Sequence, residues 1–239
     1  MVSQPDMTVF KASLRGESLT PGEPGYDAAR VVFNRLVDRH PAIIARCAGA
    51  ADVVACIEFA REQGLPVSIR GGGHSIAGKA ICDDGLMIDL SAMKGIRVDP
   101  ATRTVRAEPG LIIGEFDRET QAFGLATTMG VISTTGIAGL TVGRGMGWLI
   151  GKHGLACDNV IAMDVVTADG RLRKASQQEN PDLFWGCAAA AATSASSRLS
   201  SIGSISSAPS LAAGYSIRSS RPAKFCVSIG TLPFPALTS

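Results

Sequence analysis

The sequence predicts an α+β protein. Three observations carry that reading: a short βαβ-like unit at residues 42–70, two hairpin signatures further on, and helices placed between them without the regular alternation of a doubly wound sheet. Within the βαβ-like unit, P-A-I-I-A-R-C-A-G reads as a strand, A-D-V-V-A-C-I-E-F-A-R-E-Q-G as a helix and L-P-V-S-I-R as a second strand. Val53, Ile57 and Ala60 share one helical face, Asp52 suits the positive end of the helix dipole, and Gly64 supplies the stop.

After the glycines at 71–73, L-M-I-D-L reads as a strand, and I-R-V-D-P-A-T-R-T-V-R-A-E-P-G as a pair turning at Asp99-Pro100. A helix follows in L-I-I-G-E-F-D-R-E-T-Q-A-F-G, with Ile112, Phe116, Thr120 and Phe123 at helical spacing and Gly124 at its end. From Gly130 to Gly154 glycine and small residues dominate, which implies backbone pressed against something. N-V-I-A-M-D-V-V-T-A-D-G-R-L-R-K-A then reads as a hairpin turning at Asp169-Gly170, and Ser176 as the cap of a last short helix.

Composition bounds the function. Basic and acidic residues, 23 and 21, nearly balance, so the chain lacks the electrostatic footprint of a nucleic-acid binder, and a small-molecule partner is expected. No apolar run approaches the roughly 20 residues of a spanning helix. The N-terminus lacks the basic-then-apolar order of a secretory signal and meets Lys11 and Arg15 early, so a cytoplasmic location is expected. Six cysteines without C-x-x-C spacing argue against zinc, iron–sulfur and a disulfide framework; they read as packed thiols, and no metal is expected.

Two constellations carry chemistry. Arg70-Gly71-Gly72-Gly73-His74-Ser75, closing on Gly78, follows directly from an apolar strand. Consecutive glycines admit positive φ and let backbone N–H groups approach a pyrophosphate, with Arg70 as a counter-charge and Ser75 as a hydroxyl donor. The competing reading is a glycine-rich turn carrying a surface histidine. The second constellation runs from Ser133 to Trp148, where Ser133, Thr134 and Thr141 stand among Gly136, Gly139 and Gly143, small enough for contact with phosphate and ribityl oxygens. Its Gly143-x-Gly145-x-Gly147 resembles a dinucleotide fingerprint with Asp164 as the ribose acid, but no clean strand precedes it and Asp164 sits inside an apolar run.

Taken together, S-I-R-G-G-G-H-S, G-I-A-G-L-T-V-G-R-G-M-G-W-L, K-H-G-L-A-C-D-N-V, D-V-V-T-A-D-G and N-P-D-L-F-W-G resemble, in order and spacing, the berberine-bridge-enzyme-like FAD-linked oxidases. The resemblance implies a PCMH-type FAD-binding domain of two α+β lobes over residues 36–186, preceded by an N-terminal segment 1–35 and incomplete at its C-terminal end. It implies FAD as cofactor, with His74 as the covalent anchor, and a hydride passed from a small organic substrate to flavin N5, with reoxidation by oxygen or another acceptor. Arg70, Gly71, Gly72, Gly73, Ser75 and Gly78 would hold the pyrophosphate. Ser133, Thr134, Gly136, Gly139 and Thr141 would line the other side of the flavin, and Val166 would offer backbone contacts to the nucleotide.

Ile132 stands where some relatives carry a second flavin-linking cysteine, so one covalent link is expected. Asp158 and Asn159 are expected to fix their loop, His40 and His153 to be surface or structural, and Trp148 and Trp185 to pack. Arg144 stands where relatives commonly have glycine; if that position needs positive φ, the arginine costs on the order of 1–2 kcal/mol.

The segment 187–239 contains no Asp, Glu, Asn or Gln and is rich in Ser and Ala. Relatives continue here with L-R-G-G-G-G-N-F-G-V-V-T. In GC-rich codons, deletion of one base after the Gly186 codon turns that text into Cys187, a run of alanines, Thr193, Ser194, Ala195, Ser196 and Ser197, as found. An aberrant, disordered tail produced by a frameshift is therefore expected, and with it the alternative of a non-catalytic flavin-binding remnant lacking the substrate domain.

Overall fold

The computed structural model describes residues 4–189 and 215–218. It comprises two α+β lobes, each built on its own sheet.

The first sheet has the order β1 (Glu17–Leu19), β2 (Ile43–Arg46), β4 (Leu86–Asp89), β3 (Val67–Arg70). The last three run parallel, with Ile43 and Val67 both opposite Leu86, and β1 adds antiparallel at the edge. Strands parallel to one another need a crossover, and α3 (Ala50–Gln63) provides it between β2 and β3. Val53, Cys56, Ile57 and Ala60 of α3 are buried against Ile43, Leu86 and Ile88, and Gly64 closes the helix at φ 63 with its N–H on the Ala60 and Arg61 carbonyls. Asp52 does more than face a dipole. Its buried carboxylate accepts backbone N–H groups of Arg15 and Gly16 at 3.0 Å and of Ala48 at 2.8 Å, tying the N-terminal segment to α3.

That segment belongs to this lobe. α1 (Gln4–Ser13) lies on α3, where Phe10 stacks on Phe59 with centroids 4.1 Å apart, and α2 (Tyr26–Ala29) buries Tyr26, whose hydroxyl donates to the Pro41 carbonyl at 2.6 Å.

The second sheet is antiparallel throughout, in the order β5 (Ile96–Asp99), β6 (Thr104–Ala107), β9 (Tyr215–Arg218), β7 (Val160–Val166), β8 (Leu172–Ser176). Both expected hairpins form, at Asp99-Pro100 and at Asp169-Gly170, the latter with Gly170 at φ 79. α4 (Ile113–Gln121), α5 (Ile137–Val142) and α7 (Pro181–Ala189) pack with this sheet around Phe116, Ile137, Met163 and Val165. The short α6 (Ile150–His153) and a 3-10 turn at Cys157–Asn159 lead into β7.

Three expectations are corrected. The buried face of α4 is Ile113, Phe116 and Thr120, not a stripe from Ile112 to Phe123; the helix ends at Gln121, and Phe123 is exposed beyond it. Ser176 closes β8 and caps a turn through Gln178 and Glu179, while α7 begins later, at Pro181, where a missing N–H costs nothing. Within the segment expected to be a disordered tail, α7 continues through the buried Cys187 to Ala189, and Tyr215–Arg218 is a strand. The edges of β6 and β7 present donors and acceptors that an extended segment between them satisfies whatever its side chains. The rest of 187–239 lies outside the described residues. No described helix is long and apolar enough to cross a membrane.

Candidate functional site

β3 ends at Arg70 and releases the first glycine segment between the lobes. Gly73 and Gly78 take positive φ, 71 and 70, as a tight loop requires. Gly72 is needed for another reason. A Cβ on it would lie 2.3 Å from the Gly136 nitrogen, and a Cβ on Gly136 would lie 2.2 Å from the Gly72 nitrogen. The two glycine segments therefore meet backbone to backbone and form one surface.

The second segment is held by the start of α4. Ile113 and Gly114 donate to the carbonyls of Thr135 and Ser133 at 2.9 Å, and Ile137 donates to Leu111 at 3.0 Å. Ser133, Thr134 and Gly139 are left exposed, whereas Gly136 and Thr141 are buried.

His74 stands at this junction, half-buried. Its ring stacks on Phe33, centroids 4.2 Å apart and planes 16° from parallel, and its Nδ1 is 3.4 Å from the Thr135 hydroxyl. Burial pushes the imidazole below its ordinary value of 6.5, favouring the neutral, nucleophilic form. Thr135 lay within the second constellation without being singled out. Phe33 was not foreseen, because F-N-R-L carries no motif and only tertiary packing brings it here.

Other candidates take more local roles. Arg70 turns its guanidinium to the Ala29 carbonyl, bracing the loop from beneath with Nε beside Gly73. Ser75 Oγ accepts the Lys79 N–H at 3.1 Å, leaving its own proton to donate. Val166 is fully buried in the first lobe's core although it ends a strand of the second sheet, so it joins the lobes.

Arg144 has φ 80, so the position does demand the left-handed conformation. Asp158 Oδ2 accepts the Leu155 N–H at 2.8 Å, and Asn159 Nδ2 donates to Leu155 and His153 carbonyls at 2.7 and 3.2 Å, fixing their loop as expected. Asp164, the residue a dinucleotide-fold reading would set on ribose, pairs on the sheet with Arg106 at 2.7 Å. His40 is exposed and His153 buried. Trp148 and Trp185, expected to pack, are instead exposed, Trp148 by 87%, because no described residue covers the loop after α5 or that face of α7.

The residues suit a bound flavin nucleotide. Among the described residues, Arg70 Nε and Thr141 Oγ1 are buried polar atoms with no hydrogen-bond partner, so both glycine segments retain unused capacity for a ligand. Two α+β lobes meeting at paired glycine segments are the architecture of an FAD-binding domain, and the family model described by that name matches residues 41–176. The chain belongs to this family, among the berberine-bridge-enzyme-like FAD-linked oxidases.

In sequence it is 38% identical over 173 residues to (R)-6-hydroxynicotine oxidase of Paenarthrobacter nicotinovorans, covering 72% of this chain and 38% of that one. Its structure matches 6-hydroxy-D-nicotine oxidase from Arthrobacter nicotinovorans with a TM-score of 0.78 at 31% identity, over 91% of this chain and 44% of that one. A carbohydrate oxidase from Microdochium nivale matches with a TM-score of 0.76 at 28% identity, over 89% and 42%. The chain thus spans well under half the length of these relatives.

Proposed function

We propose that this chain is the flavin-binding part of an FAD-dependent oxidoreductase that takes a hydride from a small organic substrate. The observation that carries this is the backbone contact between Gly72 and Gly136, which merges two ligand-type glycine segments into one surface beside His74. The family membership and the oxidase names of the relatives support it.

Gly71, Gly72, Gly73, Ser75 and Gly78 hold the pyrophosphate, on a loop that Arg70 braces from beneath through the Ala29 carbonyl. Ser133, Thr134, Gly136, Gly139 and Thr141 line the opposite side, while Val166, fully buried, joins the two lobes behind the site. His74 is the covalent anchor, supported by its half-buried neutral ring. The bound flavin supplies the redox chemistry, as hydride acceptor reoxidised by oxygen or another acceptor. The chain's own contribution is binding, orientation, and a neutral imidazole held at the lobe junction.

A second reading, a flavin-binding remnant without turnover, rests on the composition of residues 187–239, which contain no Asp, Glu, Asn or Gln and depart from the segment with which relatives continue. Purified protein separates the two. After acid precipitation the pellet should keep yellow flavin, and His74→Ala should release it all; colourless pellets from the parent sink the anchor. Anaerobic photoreduction followed by a screen of amines, alcohols and oligosaccharides then tests turnover. A photoreducible flavin that no substrate reduces selects the remnant.

A further inference from the structure

The loop after α2 runs along the first glycine loop and is fixed to it at several points. Phe33 N–H donates to the Gly73 carbonyl at 3.1 Å, and Asn34 Nδ2 donates to the Ile76 carbonyl at 2.9 Å. The Val37 methyls lie against Gly78, 2.9 Å from where a Cβ would stand. On this frame the Phe33 ring is 54% exposed. A phenylalanine that buries so little contributes little to the core, yet this one stacks at 4.2 Å on the one imidazole at the lobe junction.

We propose that Phe33 is a positioning residue for His74: stacked on the imidazole, it sets the plane in which that ring meets the flavin and so the rate at which the two are joined. This rests on the histidine-anchor reading above. The joining balances as follows. One N–H bond of His74 and one C–H bond of the flavin 8α-methyl break, one C–N bond forms, and the two protons and two electrons released pass to dioxygen as hydrogen peroxide.

A ring clamped between Phe33 and the Thr135 hydroxyl loses little freedom on reaching the bonding geometry, whereas an unclamped ring must first find it. The aromatic cover also keeps water from one face of the imidazole. Burial alone accounts for its lowered value, with no charge contribution from a neighbour; the nearby Arg70 guanidinium is turned to the Ala29 carbonyl.

Phe33→Leu removes the ring but keeps the backbone N–H on Gly73, and Phe33→Tyr restores an aromatic. Apoprotein of the full chain is mixed with FAD, and three quantities are followed: acid-stable flavin with time and pH, hydrogen peroxide formed per link, and FAD affinity from fluorescence quenching. Phe33→Leu should slow covalent incorporation by about tenfold or more with affinity unchanged. The midpoint of its rate against pH should move up towards 6.5, and Phe33→Tyr should behave as the parent. Equal rates in parent and Phe33→Leu, or a rate that falls only in step with affinity, overturn the role of Phe33. No covalent flavin in the parent overturns the anchor reading itself, a separable result.

Discussion

Replacing Gly72 with alanine should separate the two glycine segments. The new Cβ would stand 2.3 Å from the Gly136 nitrogen and 2.6 Å from its Cα, against 3.4 Å for ordinary contact, so the gap must open by about 1 Å. The obstacle is backbone on both sides, held by the hydrogen bonds of Thr135 and Ile137 to the start of α4, and no side chain can swing away. Overpacking of this kind costs about 1–3 kcal/mol, and rigid surroundings put Gly72→Ala at the upper end.

Gly136→Ala meets the same contact from the other side, at 2.2 Å, and should cost about as much. The double variant should cost clearly less than the two singles added, because the second Cβ enters a gap the first has already opened. Gly139→Ala is the control for stability alone: nothing lies within 4 Å of its Cβ, and a glycine inside α5 gains about 0.5–1 kcal/mol of helix stability on becoming alanine. Urea unfolding of all four variants gives the energies, and flavin content the consequence for binding. Strict additivity, or a Gly72→Ala midpoint equal to the parent's, would refute the backbone-contact reasoning.

Arg144→Gly should relieve the left-handed strain at φ 80, giving a net gain of about 0.5–1 kcal/mol once glycine's greater freedom in the unfolded chain is set against it; a lower midpoint would count against strain there. His74 and His153 are both held below 6.5 by burial, and Lys152 adds to the effect on His153. The unfolded chain therefore binds more protons just below 6.5, so their contribution is full above that pH and is lost as pH falls towards the folded values. The urea midpoint should drop between pH 7.5 and 5.5, and His74→Gln should flatten that fall; a flat parent profile would contradict it. Cys187 is buried, and burial pushes its thiol up to about 11, so at pH 8 only about one molecule in a thousand carries its thiolate. Disulfide reagents should label the half-buried Cys82 and Cys157 well before Cys187, and rapid labelling of Cys187 would mean that α7 does not extend past Gly186.

Much of this architecture is legible in the residues because the signals are local. Val53, Ile57, Ala60 and Gly64 mark α3 through periodicity and a stop, and Asp169-Gly170 marks a hairpin through turn chemistry; both form as read. The first glycine segment announces itself by following an apolar strand directly. Features fixed by tertiary contact were not legible. The register of α4 depends on which side of it meets the second sheet, and Ile112 and Ile113 are equally apolar neighbours in sequence. α1 and β1 carry no periodicity strong enough to stand out, and they hold their places through Asp52, far along the chain. Phe33 reaches His74 only because its loop is bonded to residues 73–78. The cradle glycines were assigned to ligand approach in general, while the geometry divides them, Gly73 and Gly78 serving conformation and Gly72 serving contact between segments.

The place of β9 in the middle of the second sheet bears on how the protein acquires its shape during synthesis. Its partners β6 and β7 leave the ribosome long before Tyr215–Arg218, and until that strand arrives each has an unpaired edge. The hairpins β5–β6 and β7–β8 can form early from neighbouring residues, but joining them waits for a contact of high sequence separation, the slow kind. The first lobe has no such delay, since its sheet is complete once Asp89 has emerged. The nascent chain therefore passes through a stage with one finished sheet and one sheet in two halves. During that stage its vulnerability to pairing with other chains is greatest, and chaperone demand should concentrate there.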